Sequence, residues 1–321
     1  MKRIVTLGGG TGTFVVLTAL RTLPEVSLTA LVSGADDGGS AGHLRDAYGF
    51  LPAGDARQAL VALAEDESVL RDLFAYRFGK GNIAGHNLGN LFLTALTDML
   101  GSDTAAVEEA SRILRICGRV LSVTETPATL VAHLENGDVL VGEHIIDAKE
   151  VGRSRIVSVT YQENTALTQS ARTALLEADA IILGPGDLYT STAAALLADG
   201  ARDAIVESSA KLVYIVNLFS KAGQTDGMSA TEQVGEITKY AGRAPDIIFL
   251  NTTDFAPDVL ARYSEEGECP VPDSLPVGPH IVRADLASVH TVPALPNDPV
   301  PRSLVRHDSA KLAQALGALF I

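Results

Sequence analysis

Apolar and polar positions along the chain follow two textures in turn. Short apolar runs at Arg3–Leu7 and Ser27–Ser33 are bounded by glycines or polar turns and read as buried strands. Between and after them come stretches with apolar residues at helical spacing. The first is Thr13–Leu23, entered through the glycine loop Gly8–Gly12. A block with helical periodicity follows, with segments predicted at Ala56–Ala64, Ser68–Tyr76, Asn87–Leu100 and Thr104–Ile116. Strands alternating with helices predict a parallel sheet joined by right-handed crossovers, and the block is long enough to cap it.

From Arg119 to about Tyr161 the period changes to two, and Asn136-Gly137 stands between two alternating runs. That pair is a strong hairpin signal. It predicts a small antiparallel β-hairpin insertion over about 119–163 within a single domain spanning 1–321. Helix and strand then alternate again. Helices are predicted at Ser170–Ala178, Ala193–Ala198, Ala201–Ser208 and Thr231–Tyr240, and strands at Ala180–Leu183, Lys211–Val216 and Asp246–Asn251. Phe255–Arg302 is proline-rich and reads as irregular. Ser309–Leu319 is predicted as a closing helix that starts near Asp308 or Ser309. The fold class is therefore α/β, with a mostly parallel sheet and a small antiparallel addition.

Composition narrows the partners. Hydrophobic residues make up 46% of the 321, which excludes disorder for the chain as a whole. The formal net charge is −14, from 25 Lys+Arg against 39 Asp+Glu. Such a balance disfavours non-specific nucleic-acid or anionic-membrane binding, and leaves room for a local basic pocket that takes one phosphorylated molecule. The stretch nearest to a membrane span, Ile4–Leu20, is uncharged but broken by glycines and threonines and predicts none. With two cysteines, Cys117 and Cys269, the chain has no disulfide framework, and a cytoplasmic location is expected.

The chemistry gathers where strands end. Gly9, Gly10, Thr11, Gly12 and Thr13 join the first strand to its helix. Glycines let backbone N–H groups approach an anion, and the helix start adds positive partial charge. The spacing fits neither the dinucleotide fingerprint nor the G-K-[ST] of a P-loop, which weakens a nicotinamide-cofactor reading. Asp36 and Asp37 end the second strand, followed by Gly38, Gly39 and Ser40 as a second backbone nest. Adjacent carboxylates there suit a ribose diol or a Mg²⁺ ion. Asp55 is placed to cap the next helix, and Arg57 stands in its first turn, where the helix dipole disfavours a cation unless it faces a ligand anion.

His86, Asn87 and Asn90 put polar donors at another helix start. Gly184, Gly186 and Asp187, with the hydroxyls of Tyr189, Thr190 and Ser191, form a second strand–loop–helix anion site. Asn217 ends a later strand. Tyr263 suits stacking on a base or sugar, and Arg306 suits a bidentate clamp on a diphosphate.

Taken in order, GGGTGT, ADDGGSAG, PAGDARQAL, GHNLGN, GPGDLYTS, NLFSKAGQTDG and RHD resemble the YvcK branch of the CofD-like family over nearly the whole chain. The resemblance implies a Rossmann-like three-layer sandwich. It implies a nucleotide-sugar binder of the UDP-N-acetylglucosamine type, linked to gluconeogenic growth and cell shape. It carries the two glycine loops, Asp36, Asp37, Asn217, Tyr263 and Arg306 over as ligand contacts. The related CofD branch implies instead a Mg²⁺-dependent 2-phospho-L-lactate transferase that acts on a nucleotide diphosphate carrier, with Asp36 and Asp37 on the metal. The binder reading needs no metal, and no catalytic residue is assigned. An NAD(P)-binding protein is the third reading. Self-association into a homo-oligomer and a protein partner in regulation are further expectations.

Overall fold

The computed structural model describes residues 1–64, 69–289 and 304–320. Its centre is a seven-stranded, all-parallel sheet. The strands are β1 (Lys2–Leu7), β2 (Val26–Val32), β3 (Arg119–Ser122), β7 (Ala180–Leu183), β8 (Lys211–Ile215), β9 (Ile247–Asn251) and β10 (Ile281–Ala284). They lie in the order β10-β9-β8-β7-β1-β2-β3. β1 pairs with β2 on one side (Leu7 opposite Leu31) and with β7 on the other (Leu7 opposite Leu183). The chain builds outward from β1 in one direction, then returns to build outward in the other. The β1–β7 junction is therefore the topological switch point, where open α/β sheets leave a crevice at the carboxyl ends of their strands.

Both faces of the sheet are covered, which explains strands that are apolar at successive positions. Val5, Leu7, Ile181 and Leu183 join one core cluster, while Ile4 and Ile182 join another on the opposite face. On the second face pack α1 (Gly10–Leu20), α3 (Ala53–Leu63), α5 (Leu88–Leu100), α6 (Asp103–Leu114) and α12 (Ser309–Phe320). On the first pack α8 (Gln169–Leu176), α9 (Ala201–Glu207) and α10 (Ala230–Ala241). This is the expected three-layer α/β arrangement.

The antiparallel addition is a three-stranded sheet, β5-β4-β6, made of β4 (Leu130–Leu134), β5 (Val139–Val141) and β6 (Ile156–Tyr161). Asn136-Gly137 forms the turn between β4 and β5, with Gly137 at φ +93°. A short helix α7 (Glu143–Asp147) sits between β5 and β6. One boundary differs from expectation. The segment at Arg119 belongs to the parallel sheet as its edge strand, so the addition starts after Ser122. Alternation is weak at an edge strand of four residues, and the period alone cannot assign it to a sheet.

Three further elements depart from the sequence reading. The nest at Gly38–Gly42 is the start of a helix, α2 (Gly39–Tyr48), which tolerates Gly42 because the Asp37 carbonyl fills the space a side chain would take. The proline-rich stretch holds α11 (Pro257–Glu265) and β10. Pro257 opens that helix at a position where its missing N–H costs nothing. The part of that stretch over 290–302 lies outside the described residues, as does Ser68 at the head of α4 (Val69–Ala75). Asp308 caps α12 as expected, accepting from the amides of Ala310 (2.9 Å) and Lys311 (3.0 Å). Among the described residues no helix is long and apolar enough to cross a membrane.

Candidate functional site

The two glycine loops meet. At Gly12 a Cβ would fall inside the Pro185 carbonyl, so a residue with a side chain would push the loops apart. Gly186 lies in turn against the Gly9 carbonyl. The contact closes the floor of a cavity of about 730 Å³ at the switch point. That is in the range of small-ligand sites.

Gly9, Gly10, Thr11 and Gly12 line the cavity from the first loop, and Gly186, Asp187, Thr190 and Ser191 from the second. Asn217, at the end of β8, pins the second loop. It accepts from the Gly186 N–H (3.2 Å) and donates back to the Gly186 carbonyl (2.8 Å). Asp36, Gly38, Ser40, Asp55, Arg57 and Asn90 add the β2 side, and Tyr263 and Arg306 the far end.

Their partners change several expected roles. Asp55 caps a helix, but not its own. Its carboxylate accepts from the Gly10 N–H of α1 at 2.8 Å, taking one of the amide hydrogens that the glycine loop offers. Gly9 and Gly54 are small for the same reason: a Cβ at Gly9 would meet the Asp55 carboxylate, and one at Gly54 would meet Asp36. Arg57 is buried, with its Nε donating to Asn90 Oδ1 at 2.9 Å and its stem against Gly89. Burial raises the pKa of both Asp36 and Asp55, and the Arg57 charge opposes that rise. The helix starts at Ala53, so Arg57 is its fifth residue and lies past the first turn, where its charge is matched by carboxylates of the cavity wall.

Tyr263 is not open on both faces. Its ring stacks on Phe219, with centroids 3.7 Å apart and planes 9° from parallel, and its hydroxyl accepts from the Val305 N–H at 3.0 Å.

Other expected residues do not reach the cavity. Tyr189 is wholly buried, and its hydroxyl donates to the Ile156 carbonyl at 3.3 Å. The turn Leu188–Ala193 is π-helical, with more residues per turn than an α-helix, and Tyr189 lies against β6 instead of in the loop. Asp37 is spent on structure. It accepts from the N–H groups of Glu143 (3.1 Å) and His144 (2.7 Å), and lies 2.9 Å from His144 Nδ1. Asp36 and Asp37 therefore do not form the expected metal pair.

His86 and Asn87 act one layer back: Ser40 Oγ lies 3.2 Å from His86 Nδ1 and accepts from the Asn87 N–H, and Asn87 caps α5 through the Asn90 N–H. Thr13 is buried beneath Gly8, Gly184 makes the turn at φ +70°, and Gly39 opens α2.

The structure adds residues that sequence reading did not single out. Glu143, Asp147 and Lys149 come from α7 and the residues after it, Lys221 and Glu268 from loops beyond β8 and α11, and His307 from the turn before α12. Lys221 lies in the NLFSKAGQTDG motif, but composition does not tell which loop side chain turns inward. It bridges Asp147 and Asp187, at 2.7 Å from the latter. Burial opposes its charge, yet the two carboxylates outweigh this and hold the ammonium above its usual pKa. Asp147 is held below the usual range by that lysine against its own desolvation, while desolvation wins at Asp187 and raises it.

The carboxyls on the β2 side are unusually weak acids. Desolvation pushes Asp36 up to about 6, with the Asp37 charge adding to it and the Gly38 N–H opposing it. Desolvation and the Asp36 charge push Asp55 up to about 7. Glu143, desolvated and facing Asp36, Asp147, Asp37 and Asp55, rises to about 10. His307 is buried and driven down to about 4, so it is neutral.

Among the described residues no three side chains of the His, Cys, Asp and Glu set converge as a metal ion requires. As they stand, these carboxyls do not fit a Mg²⁺ ion held by protein ligands alone.

The family model described as 2-phospho-L-lactate transferase CofD matches residues 4–286. The Bacillus subtilis protein named Gluconeogenesis factor is 36% identical over 321 residues, covering 98% of this chain and 96% of that one. The protein of that name from Halalkalibacterium halodurans is 36% identical over 318 residues, covering 98% and 95%. A crystal structure of a UPF0052 family member from Bacillus halodurans superposes with a TM-score of 0.88 at 34% identity, covering 98% of this chain and 99% of that one.

Proposed function

The chain belongs to the CofD family, and on that premise we propose that it is a regulatory binding protein for a nucleoside diphosphate sugar of the UDP-N-acetylglucosamine type. Its role would lie in carbon metabolism of the gluconeogenic kind, with an effect on cell shape. The observation that carries the reading is the meeting of Gly12 and Pro185, which makes one cavity from two anion-suited loops. The diphosphate would lie along the second loop, near Ser191, Lys221 and Arg306. There, hydroxyl, ammonium and guanidinium groups suit phosphate oxygens. The name of the relatives supports the regulatory role.

A second reading is a Mg²⁺-dependent phospholactyl-type transferase acting on a nucleotide diphosphate carrier. The Asp36, Asp55 and Glu143 carboxyls beside the loops favour it, because Mg²⁺ is often held by one or two carboxylates together with substrate phosphates.

Thermal melting with added ligand separates the two. At 100 times its dissociation constant a ligand specific for the native state adds about 2.7 kcal/mol, a readable shift. UDP-N-acetylglucosamine or UDP-glucose should raise the melting temperature without Mg²⁺, and Arg306→Ala should abolish the shift. A shift with GDP that requires Mg²⁺, and none with UDP sugars, would replace the binder by the transferase. A shift with NAD or NADP alone would replace both.

A further inference from the structure

Lys221 offers its ammonium to the cavity on a flexible four-carbon stem. Its backbone is fixed within its own loop. The Lys221 N–H donates to Thr225 Oγ1 at 2.8 Å, and the Gln224 and Thr225 N–H groups donate to the Lys221 carbonyl at 3.0 and 2.9 Å. The ammonium is fixed from elsewhere. It donates to Asp147 Oδ1 and to Asp187 Oδ2, the latter at 2.7 Å. Asp187 belongs to the second glycine loop and Asp147 to α7 of the antiparallel addition.

An ammonium carries three N–H groups. Two are taken here by anchors on different elements, and together they set the direction of the third. Among the described residues no protein acceptor takes that third hydrogen. Asp147, Asp187, Ser191 and Lys221 all line the cavity, so it is left for an acceptor inside. With a single anchor the ammonium would swing about that one bond, and the third N–H would have no fixed aim.

The Asp147 anchor is itself held in place. The same Oδ1 atom accepts from Thr190 Oγ1 at 3.2 Å and from Gln224 Nε2 at 3.1 Å. The helix that carries it is braced at both ends. Asp37 accepts from the Glu143 and His144 amides at its start, and Arg153 donates to the Ile146 (2.8 Å) and Ile145 (3.2 Å) carbonyls near its end. Ile146, next to Asp147, is wholly buried.

We propose that Asp147 is a positioning residue, which with Asp187 clamps the Lys221 ammonium so that its third N–H meets a phosphate oxygen of the ligand. This rests on the nucleotide-sugar reading above and gives the antiparallel addition a task in it. Asp147 acts through its place and not through its charge, since a carboxylate near phosphate repels it. The cost of losing Asp147 must therefore vanish once Lys221 is gone.

A double-mutant cycle on the full chain, read by calorimetric titration with UDP and with UDP-N-acetylglucosamine, tests this. Lys221→Ala should weaken both ligands at least tenfold, and Asp147→Ala at least fivefold. Adding Asp147→Ala to Lys221→Ala should change affinity by less than twofold. Asp147→Asn keeps an acceptor in place and should stay within threefold of wild type or bind more tightly. Asp147→Glu keeps the charge but moves it by one methylene, and should bind at least fivefold more weakly. Additive losses in the cycle would overturn the proposal, because a merely structural role predicts them. So would Asp147→Ala binding as tightly as wild type, Asp147→Asn as weak as Asp147→Ala, or Asp147→Glu as tight as wild type. Melting of each variant controls for the fold, and the contrast of Asn with Glu decides where Asp147→Ala is unfolded at the titration temperature. Wild type that binds UDP while the cycle is additive overturns the proposal alone, whereas wild type that binds neither ligand overturns the nucleotide-sugar reading with it.

Discussion

The Asp55 carboxylate lies 2.8 Å from the Gly10 amide nitrogen and ties the first turn of α3 to the first turn of α1. The bond joins the two helices at the cavity wall and puts a carboxyl where the glycine loop would otherwise present a bare N–H. Asp55→Ala leaves that amide without its partner and should cost about 1–2 kcal/mol in urea unfolding. Asp55→Asn keeps an acceptor oxygen and should cost less than half as much.

The contact of Gly12 with Pro185 predicts a sharp contrast between glycines. Gly12→Ala drives a methyl into a carbonyl and should destabilise by about 1–3 kcal/mol, as overpacking does, while lowering UDP-sugar affinity at least tenfold. Gly235→Ala, in the exposed interior of α10 with nothing near its Cβ position, should stabilise by about 0.5–1 kcal/mol and leave binding unchanged. Denaturation midpoints of the two variants check both halves.

Tyr263 separates stacking from hydrogen bonding. Tyr263→Phe keeps the ring on Phe219 but removes the acceptor for the Val305 amide, and should cost about 1–2 kcal/mol with ligand affinity within threefold. Tyr263→Ala empties part of the small core around Phe219 and should cost about 3–5 kcal/mol. Any loss of binding in Tyr263→Ala must therefore be measured below its lowered melting temperature.

The weak acids set a pH dependence. Asp36, Asp55 and Glu143 all have folded pKa values above their ordinary ones, at about 6, 7 and 10. The folded chain thus holds more protons than the unfolded chain above pH 4. The stability they contribute is present in full below about pH 4 and falls as pH rises through 6 and 7 toward 10. Ligand-free protein should melt lower at pH 9 than at pH 6. Glu143→Gln should reduce that difference, which melting curves across the range will read.

Much of this was legible in the sequence, for identifiable reasons. Strands apolar at successive positions, as in Ile4, Val5 and Leu7, reveal a sheet covered on both faces. Glycine runs at strand ends mark the loops, because only glycine permits the close approaches at Gly9 and Gly12. What stayed hidden depends on packing between distant segments. No local pattern says that Gly12 meets Pro185, or that Asp37 turns away to hold α7. A five-residue helix such as α7 is too short to show a period, so Glu143 passed unnoticed within a hairpin. Tyr189 reads as one of the loop hydroxyls, and the π-helical turn Leu188–Ala193 buries it instead.

The place of β1 in the sheet has a consequence during synthesis. Its partners are β2, which follows at once, and β7, which is made only at Ala180–Leu183. At about 5–20 residues per second, β1 waits roughly 10–35 s on the ribosome with one edge unpaired. A nascent chain released before β7 would carry an apolar parallel strand open to other chains. The seam that later floors the cavity therefore closes long after its first strand is made, and stalled or truncated products should aggregate through it.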